Sequence, residues 1–111
     1  MTVRELMELE IFSVVNEGAK TEGEITKPFC CDLLSIAMSR APSGCAWVTV
    51  MANVNTLAVA ALTEAACVIL AEGAALDEAA RAKAGQEGIT VLSTDLPVFE
   101  AALKVNGLLG L

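Results

Sequence analysis

Residues 66–71 read Ala66-Cys67-Val68-Ile69-Leu70-Ala71, six apolar positions in a row. The reading of this stretch decides the fold class. A strand with one wet face alternates apolar and polar residues, and this run does not. A continuous apolar run of this length is expected of a strand buried on both faces, as in a parallel sheet covered by helices.

The flanks supply those helices. Upstream, Val54, Leu57, Ala58, Ala61 and Leu62 recur at i, i+3, i+4, i+7 and i+8, the stripe of an amphipathic helix. Asn53-Val54-Asn55-Thr56 offers its N-cap chemistry. Before it, Cys45–Val50 reads as a strand, and Ala41-Pro42-Ser43-Gly44 as a turn. Residues 31–40 predict a helix with Leu33, Leu34, Ala37 and Met38 on one face. Downstream, Gly73 turns the chain. Asp77 starts a helix through Gln86, with Asp77 and Arg81 spaced as an i, i+4 pair and Gly88 as its stop. Ile89–Leu92 is a short strand. Ser93-Thr94-Asp95 is expected to cap a final helix with Pro97 in its first turn. Phe99, Ala102 and Leu103 form that helix's expected buried face, and Gly107 its end. At the amino end, residues 8–15 (ELEIFSVV) read as a first strand. Residues 16–28 are a polar connection with room for a short extra strand around Ile25.

Strands and helices thus alternate along the chain. This predicts an α/β domain with a largely parallel, four- to five-stranded sheet flanked by helices. A chain of 111 residues fits one domain over residues 1–111. It contains no internal repeat and no dividing linker.

Composition narrows the partners. Apolar residues make up 55% of the chain but aromatics only 4%, so the core is built from small and aliphatic side chains. The net charge of −7 argues against binding a nucleic-acid backbone or an anionic membrane surface. The longest apolar candidate, Ala46 to Leu62, is interrupted by Thr49, Asn53, Asn55 and Thr56 and does not read as a membrane span. The start, MTVRELMELE, carries charges where a secretory signal needs an apolar segment. The expectation is a cytoplasmic protein with reduced cysteines.

The succession WVTVMANVNTLAVAAL, then ACVILAEGAALDEAARAKAGQEGITVLSTDLPVFEAA, preceded by CCDLLSIAMSRA, resembles the DRTGG domain family in its small stand-alone members. The likeness covers roughly residues 30–106. That family is similar to the N-terminal domain of HPr kinase/phosphorylase and also occurs beside CBS domains. The resemblance implies a compact α/β regulatory or ligand-sensing module, often dimeric, and implies no kinase activity. The chain also lacks the phosphate-loop pattern GxxxxGK[ST]. It departs from the family in lacking the literal Asp-Arg-Thr-Gly-Gly run. It also carries Met51-Ala52-Asn53 where relatives often have a Thr-His pair.

Three connections would share the carboxyl edge of a parallel sheet, where open α/β sheets bind ligands. They contribute Asn53 and Asn55, then Gly73, then Ser93, Thr94 and Asp95. Their amides, hydroxyls and helix N-termini suit a small polar or anionic ligand, although plain helix capping explains the same residue types. The adjacent thiols Cys30 and Cys31 admit packing or a redox role. A helix N-terminus would lower a thiol pKa there, while Asp32 opposes it. Cys45 and Cys67 read as core. No CxxC spacing and no His exist, so no metal and no cofactor is implied. Without His or Tyr, no acid–base constellation stands out, and the expectation is a protein that is not an enzyme. The apolar tail Val105–Leu111 points to an interface or folds back on its own core, and with either a homodimer is the expectation. Two alternatives stay open. One is an interaction subunit of a redox or metabolic complex without its own ligand. The other is a thiol redox protein using Cys30 or Cys31.

Overall fold

The run that decides the fold class lies at the centre of the molecule. In the computed structural model, which describes residues 1–111, Cys67–Leu70 forms β4, the third strand of a five-stranded sheet in the order β1-β5-β4-β3-β2. The elements are α1 (Val3–Glu8), β1 (Ser13–Asn16), β2 (Pro28–Cys30), α2 (Leu34–Arg40), β3 (Ala46–Thr49), α3 (Val54–Leu62), β4, α4 (Glu78–Glu87), β5 (Val91–Ser93) and α5 (Val98–Leu108). β2, β3, β4 and β5 are parallel neighbours, and β1 joins β5 antiparallel with a bulge between Val14 and Asn16. The predicted fold class therefore holds, with five strands.

Both faces of the sheet are covered, and strand alternation sorts the core into two layers. Trp47, Val68, Leu70 and Val91 point to one face, against Ala37 of α2, Leu57, Val59 and Ala60 of α3, and Ala80 and Ala84 of α4. Ala46, Val48, Cys67, Ile69 and Leu92 point to the other, against Val3, Leu6 and Met7 of α1 and Ala101, Ala102 and Val105 of α5. The small helix residues matter because alanine lets a helix backbone lie close to the sheet. Parallel crossovers are right-handed. The strands β2, β3, β4 and β5 follow one another in a single direction, so α2, α3 and α4 all fall on the same face.

Several local expectations change. The amino end is a helix followed by a strand, not one strand over residues 8–15. Thr2 caps α1 in a capping box with Glu5, and Val3, Leu6 and Met7 are its buried side. The extra strand is Pro28–Cys30 and not around Ile25, which is buried beside an isolated bridge between Thr2 and Glu24. Consequently α2 begins at Leu34 rather than 31, and of its expected face only Ala37 is fully buried, with Leu33 and Met38 exposed. On α3 the buried side is Thr56, Leu57, Val59 and Ala60, while Val54 and Leu62 face solvent. The helix packs between α2 and α4 over the sheet, and its buried arc is set by these neighbours together. On α5 only Ala102 of the expected face is buried, and Phe99 and Leu103 are 68% and 55% exposed. Ala101 and Val105 take their place on the side of α5 that meets the sheet. Gly107 does not stop α5, which runs on to Leu108. Asn53, Asp77 and Gly88 do punctuate their helices as expected, Gly88 at a left-handed φ of 66°.

Candidate functional site

After β4 the chain crosses to α4 on one face of the sheet. After the neighbouring β5 it crosses to α5 on the other. Adjacent parallel strands whose connections part to opposite faces leave a crevice beyond their carboxyl ends. A cavity of about 230 Å³ lies there, lined among others by Gly73, Ala74, Arg81, Ser93, Thr94 and Asp95. A trough of about 400 Å³ adjoins it, shares Ser13, Ser93, Thr94 and Asp95, and runs past Glu10 to Pro97.

The floor of this crevice is a tied pair of loops. Gly73 N donates to Thr94 O at 3.0 Å, Glu72 N to Leu96 O at 2.9 Å, and Thr94 N to Leu70 O at 2.9 Å. Leu96 N donates to Thr94 Oγ1 at 3.1 Å, which leaves that hydroxyl's own proton free to donate. Gly73 has φ 73°, and a Cβ there would stand 3.3 Å from Asp95 Oδ1, so both conformation and space favour glycine. The amides of Gly73 and Thr94 are engaged within the floor. A ligand would therefore meet side chains rather than these amides.

The wall carries a cation that helix-pair spacing had hidden. Arg81 and Asp77 form no ion pair; the three ion pairs of the structure are Met1–Glu24, Arg4–Glu22 and Lys83–Glu87. Asp77 instead caps α4, its Oδ1 accepting from Ala80 N at 2.8 Å. Arg81 stands exposed beside the cavity with no carboxylate partner. The expected cap of α5 is also corrected. Its N-cap is Pro97, with no side chain bonded to the first turn, so Ser93, Thr94 and Asp95 line the crevice instead of capping.

Gly73, Ser93, Thr94 and Asp95 are thus brought together, with Arg81 and Ser13 added. Asn53 and Asn55 are not among them. Asn53 Oδ1 accepts from Asn55 N at 3.0 Å and Thr56 N at 3.2 Å, which is capping. A further cavity of about 360 Å³ opens at the opposite, amino edge of the sheet, between Gly44, Glu64 and Gly88. It is lined by Glu24, Glu64 and Glu87 with Lys20 as its one cation, a setting that repels anions.

The Cys30–Cys31–Asp32 turn is held from inside. Trp47 Nε1 donates to Cys31 O at 3.0 Å, Thr49 Oγ1 to Asp32 Oδ1 at 2.6 Å, and Val50 N to the same oxygen at 3.0 Å. Asp32 staples β2 to the end of β3, a role its place before an apolar helix did not announce. Cys30 is exposed and lies in β2, outside any helix N-terminus; partial burial and then Asp32 push its thiol above the ordinary range. Burial pushes Cys45 up to about 11 and Cys67 up to about 12, so both are inert packing groups at neutral pH. No three His, Cys, Asp or Glu side chains lie close enough to share a metal ion. No helix is long and apolar enough to cross a membrane. No protein-family model matches the chain, and no curated protein is significantly similar to it.

Proposed function

We propose that the chain is a non-catalytic regulatory or sensing module of DRTGG type that binds a small, anionic, nucleotide-like ligand at the ends of β4 and β5 and acts as a homodimer in the cytoplasm. The observation that carries this reading is the unpaired Arg81 on the wall of the crevice where the two crossovers part. Arg81 is the one cation among the residues lining the crevice, set against Asp95 and, in the trough, Glu10, and a guanidinium without an ion-pair partner can take a phosphate or carboxylate through paired N–H donors.

The remaining groups divide the work of recognition. The hydroxyls of Ser13, Ser93 and Thr94 bond neutral polar groups, and the Asp95 carboxylate accepts from sugar hydroxyls or an amino group. The first cavity alone is smaller than the roughly 300–1,000 Å³ of drug-sized sites. Together with the adjoining trough it has room for a ligand of nucleotide size. Such a ligand would bridge α4 on one face and the β5–α5 loop on the other. Sensing then follows if the bridged arrangement binds better than the free one.

The test is titration of adenine and guanine mono-, di- and triphosphates, followed by amide chemical shifts and thermal unfolding. Binding with shifts at Gly73, Arg81 and Ser93–Asp95, weakened severalfold in Arg81→Gln, is the expected result, since a charge-assisted bond contributes about 1.5–3 kcal/mol and less where water reaches the exposed guanidinium. Equal binding by Arg81→Gln, or no binding by the native chain, would overturn the reading. An empty crevice would turn the interpretation toward an interaction subunit without its own ligand.

A further inference from the structure

The crevice changes character along its length. Arg81 and Gly73 line only the cavity at one end. Ser13, Ser93, Thr94 and Asp95 line both the cavity and the trough. Ile11, Phe12, Leu96 and Pro97 wall the far end of the trough, and Glu10 is the one polar side chain there. A cation is thus followed by three hydroxyls and a carboxylate, and these by an apolar stretch with a second carboxylate. The groups of a nucleotide come in the matching order. Its phosphate needs a positive charge, its sugar needs hydrogen-bond partners, and its flat base needs apolar walls with a polar group to fix its edge.

Glu10 selects the base. Its amide donates to Met7 O at 3.1 Å, which ties its backbone to the end of α1. Its carboxylate takes part in none of the ion pairs. Across the trough, Leu96 N is engaged by Thr94 Oγ1 at 3.1 Å, and Pro97 has no N–H to offer. A carboxylate accepts through two oxygens set side by side. The base that suits it presents two adjacent donors. Guanine does so, through N1–H and the 2-amino group. Adenine sets its 6-amino group beside the acceptor N1, and cytosine its 4-amino group beside the acceptor N3. In both, one carboxylate oxygen would face a lone pair. Uracil has a single N–H between two carbonyls.

We infer that the crevice takes a guanine nucleotide, with its phosphate at Arg81, its sugar hydroxyls along Ser93, Thr94 and Asp95, and the donor edge of its base on Glu10, the specificity-determining residue. This rests on the ligand-binding role proposed for the crevice and adds to it the base and the direction in which the ligand lies. Charge sets that direction. A phosphate at the trough end would meet the carboxylates of Glu10 and Asp95 with no cation among the lining residues.

The experiment is titration of the full chain, native and Glu10→Gln, with GMP, IMP and AMP at one ionic strength, followed by amide chemical shifts. The three share phosphate and ribose and differ only in the base, IMP keeping N1–H but lacking the 2-amino group. The native chain should bind GMP about five- to tenfold more tightly than AMP, with IMP between them, which is the effect of bonds to a charged but exposed acceptor. The shifts should extend from Arg81 to Ile11, Phe12 and Leu96. Glu10→Gln presents an amide, whose oxygen and nitrogen match the donor and acceptor of adenine. The ratio of GMP to AMP affinity should then fall to about one or invert. The ratio is the readout because loss of one negative charge tightens every nucleotide alike. Glu10 is exposed and in no ion pair, so the variant should keep the fold, and circular dichroism checks this. Equal affinity of the native chain for GMP and AMP, or an unchanged ratio in Glu10→Gln, would overturn the assignment of the base and leave a nucleotide crevice at Arg81 standing. Binding of none of the three, with no shift at Arg81, would overturn both.

Discussion

Replacing Asp32 by alanine removes one side chain and breaks two hydrogen bonds at the end of β3. Asp32 Oδ1 accepts from Thr49 Oγ1 at 2.6 Å and from Val50 N at 3.0 Å. A bond to a charged acceptor contributes about 1.5–3 kcal/mol, and less where water reaches the acceptor, as it does at exposed Asp32. Thr49 is fully buried. Its hydroxyl would still accept from Met51 N at 3.1 Å but would have no acceptor of its own. The sum is a loss of about 2–3 kcal/mol. For 111 residues the unfolding entropy is about 0.23 kcal/mol/K, so the midpoint should fall by roughly 9–13 °C. Asp32→Asn keeps a carbonyl acceptor and should lose about half as much. The assay is urea and thermal unfolding followed by circular dichroism and by tryptophan emission. Trp47 is the sole tryptophan, and its Nε1 bonds Cys31 O next to the substituted residue, so its emission reports the turn directly. A loss below about 0.5 kcal/mol with unchanged emission would refute the view that Asp32 staples β2 to β3, since that is the range of ordinary surface substitutions.

Two glycines should respond in opposite directions. A Cβ on Gly18 would lie 2.3 Å from Gly88 O and 2.6 Å from Thr90 N, both backbone atoms, so Gly18→Ala should cost more than about 3 kcal/mol in the same melts. Gly85 sits inside α4 with nothing near its Cβ position, and Gly85→Ala should stabilise by about 0.5–1 kcal/mol. Thr56 is buried with no partner for its hydroxyl, and Thr56→Val should raise stability by about 1 kcal/mol. A loss there would mean that the hydroxyl is satisfied by water. In a thiol titration of the native chain at pH 8, Cys45 and Cys67, pushed up to about 11 and about 12, should stay unreacted until urea is added. Cys30, raised by partial burial and by Asp32, should react slowly and faster as pH climbs, because only the thiolate attacks. Four rapidly reacting thiols in the folded chain would contradict the buried pair.

The sequence by itself determined the α/β class, the parallel core, the start of α3 and the bounds of α4. These features depend on local signals. The doubly buried strand Cys67–Leu70 announces itself by uninterrupted apolarity, and Asn53, Asp77 and Gly88 punctuate helices through bonds within one turn. The capping box of Thr2 and Glu5 was equally local and marks α1, but the charges of Arg4, Glu5 and Glu8 masked the buried side of that helix. What only the tertiary structure decided is which face each helix turns inward and which of the three strand-end connections share one crevice. Leu103 and Phe99 have the hydropathy of core residues, yet α5 turns Ala101, Ala102 and Val105 to the sheet and leaves the two larger side chains outside. Arg81 has the spacing of a helix pair with Asp77, but the carboxylate is taken by the amide of Ala80 and the guanidinium is left free. Gly73 and Ser93–Asp95 are about twenty residues apart in sequence. They meet because β4 and β5 are neighbours whose connections leave on opposite faces. That choice depends on how the whole sheet is covered, and no local pattern encodes it.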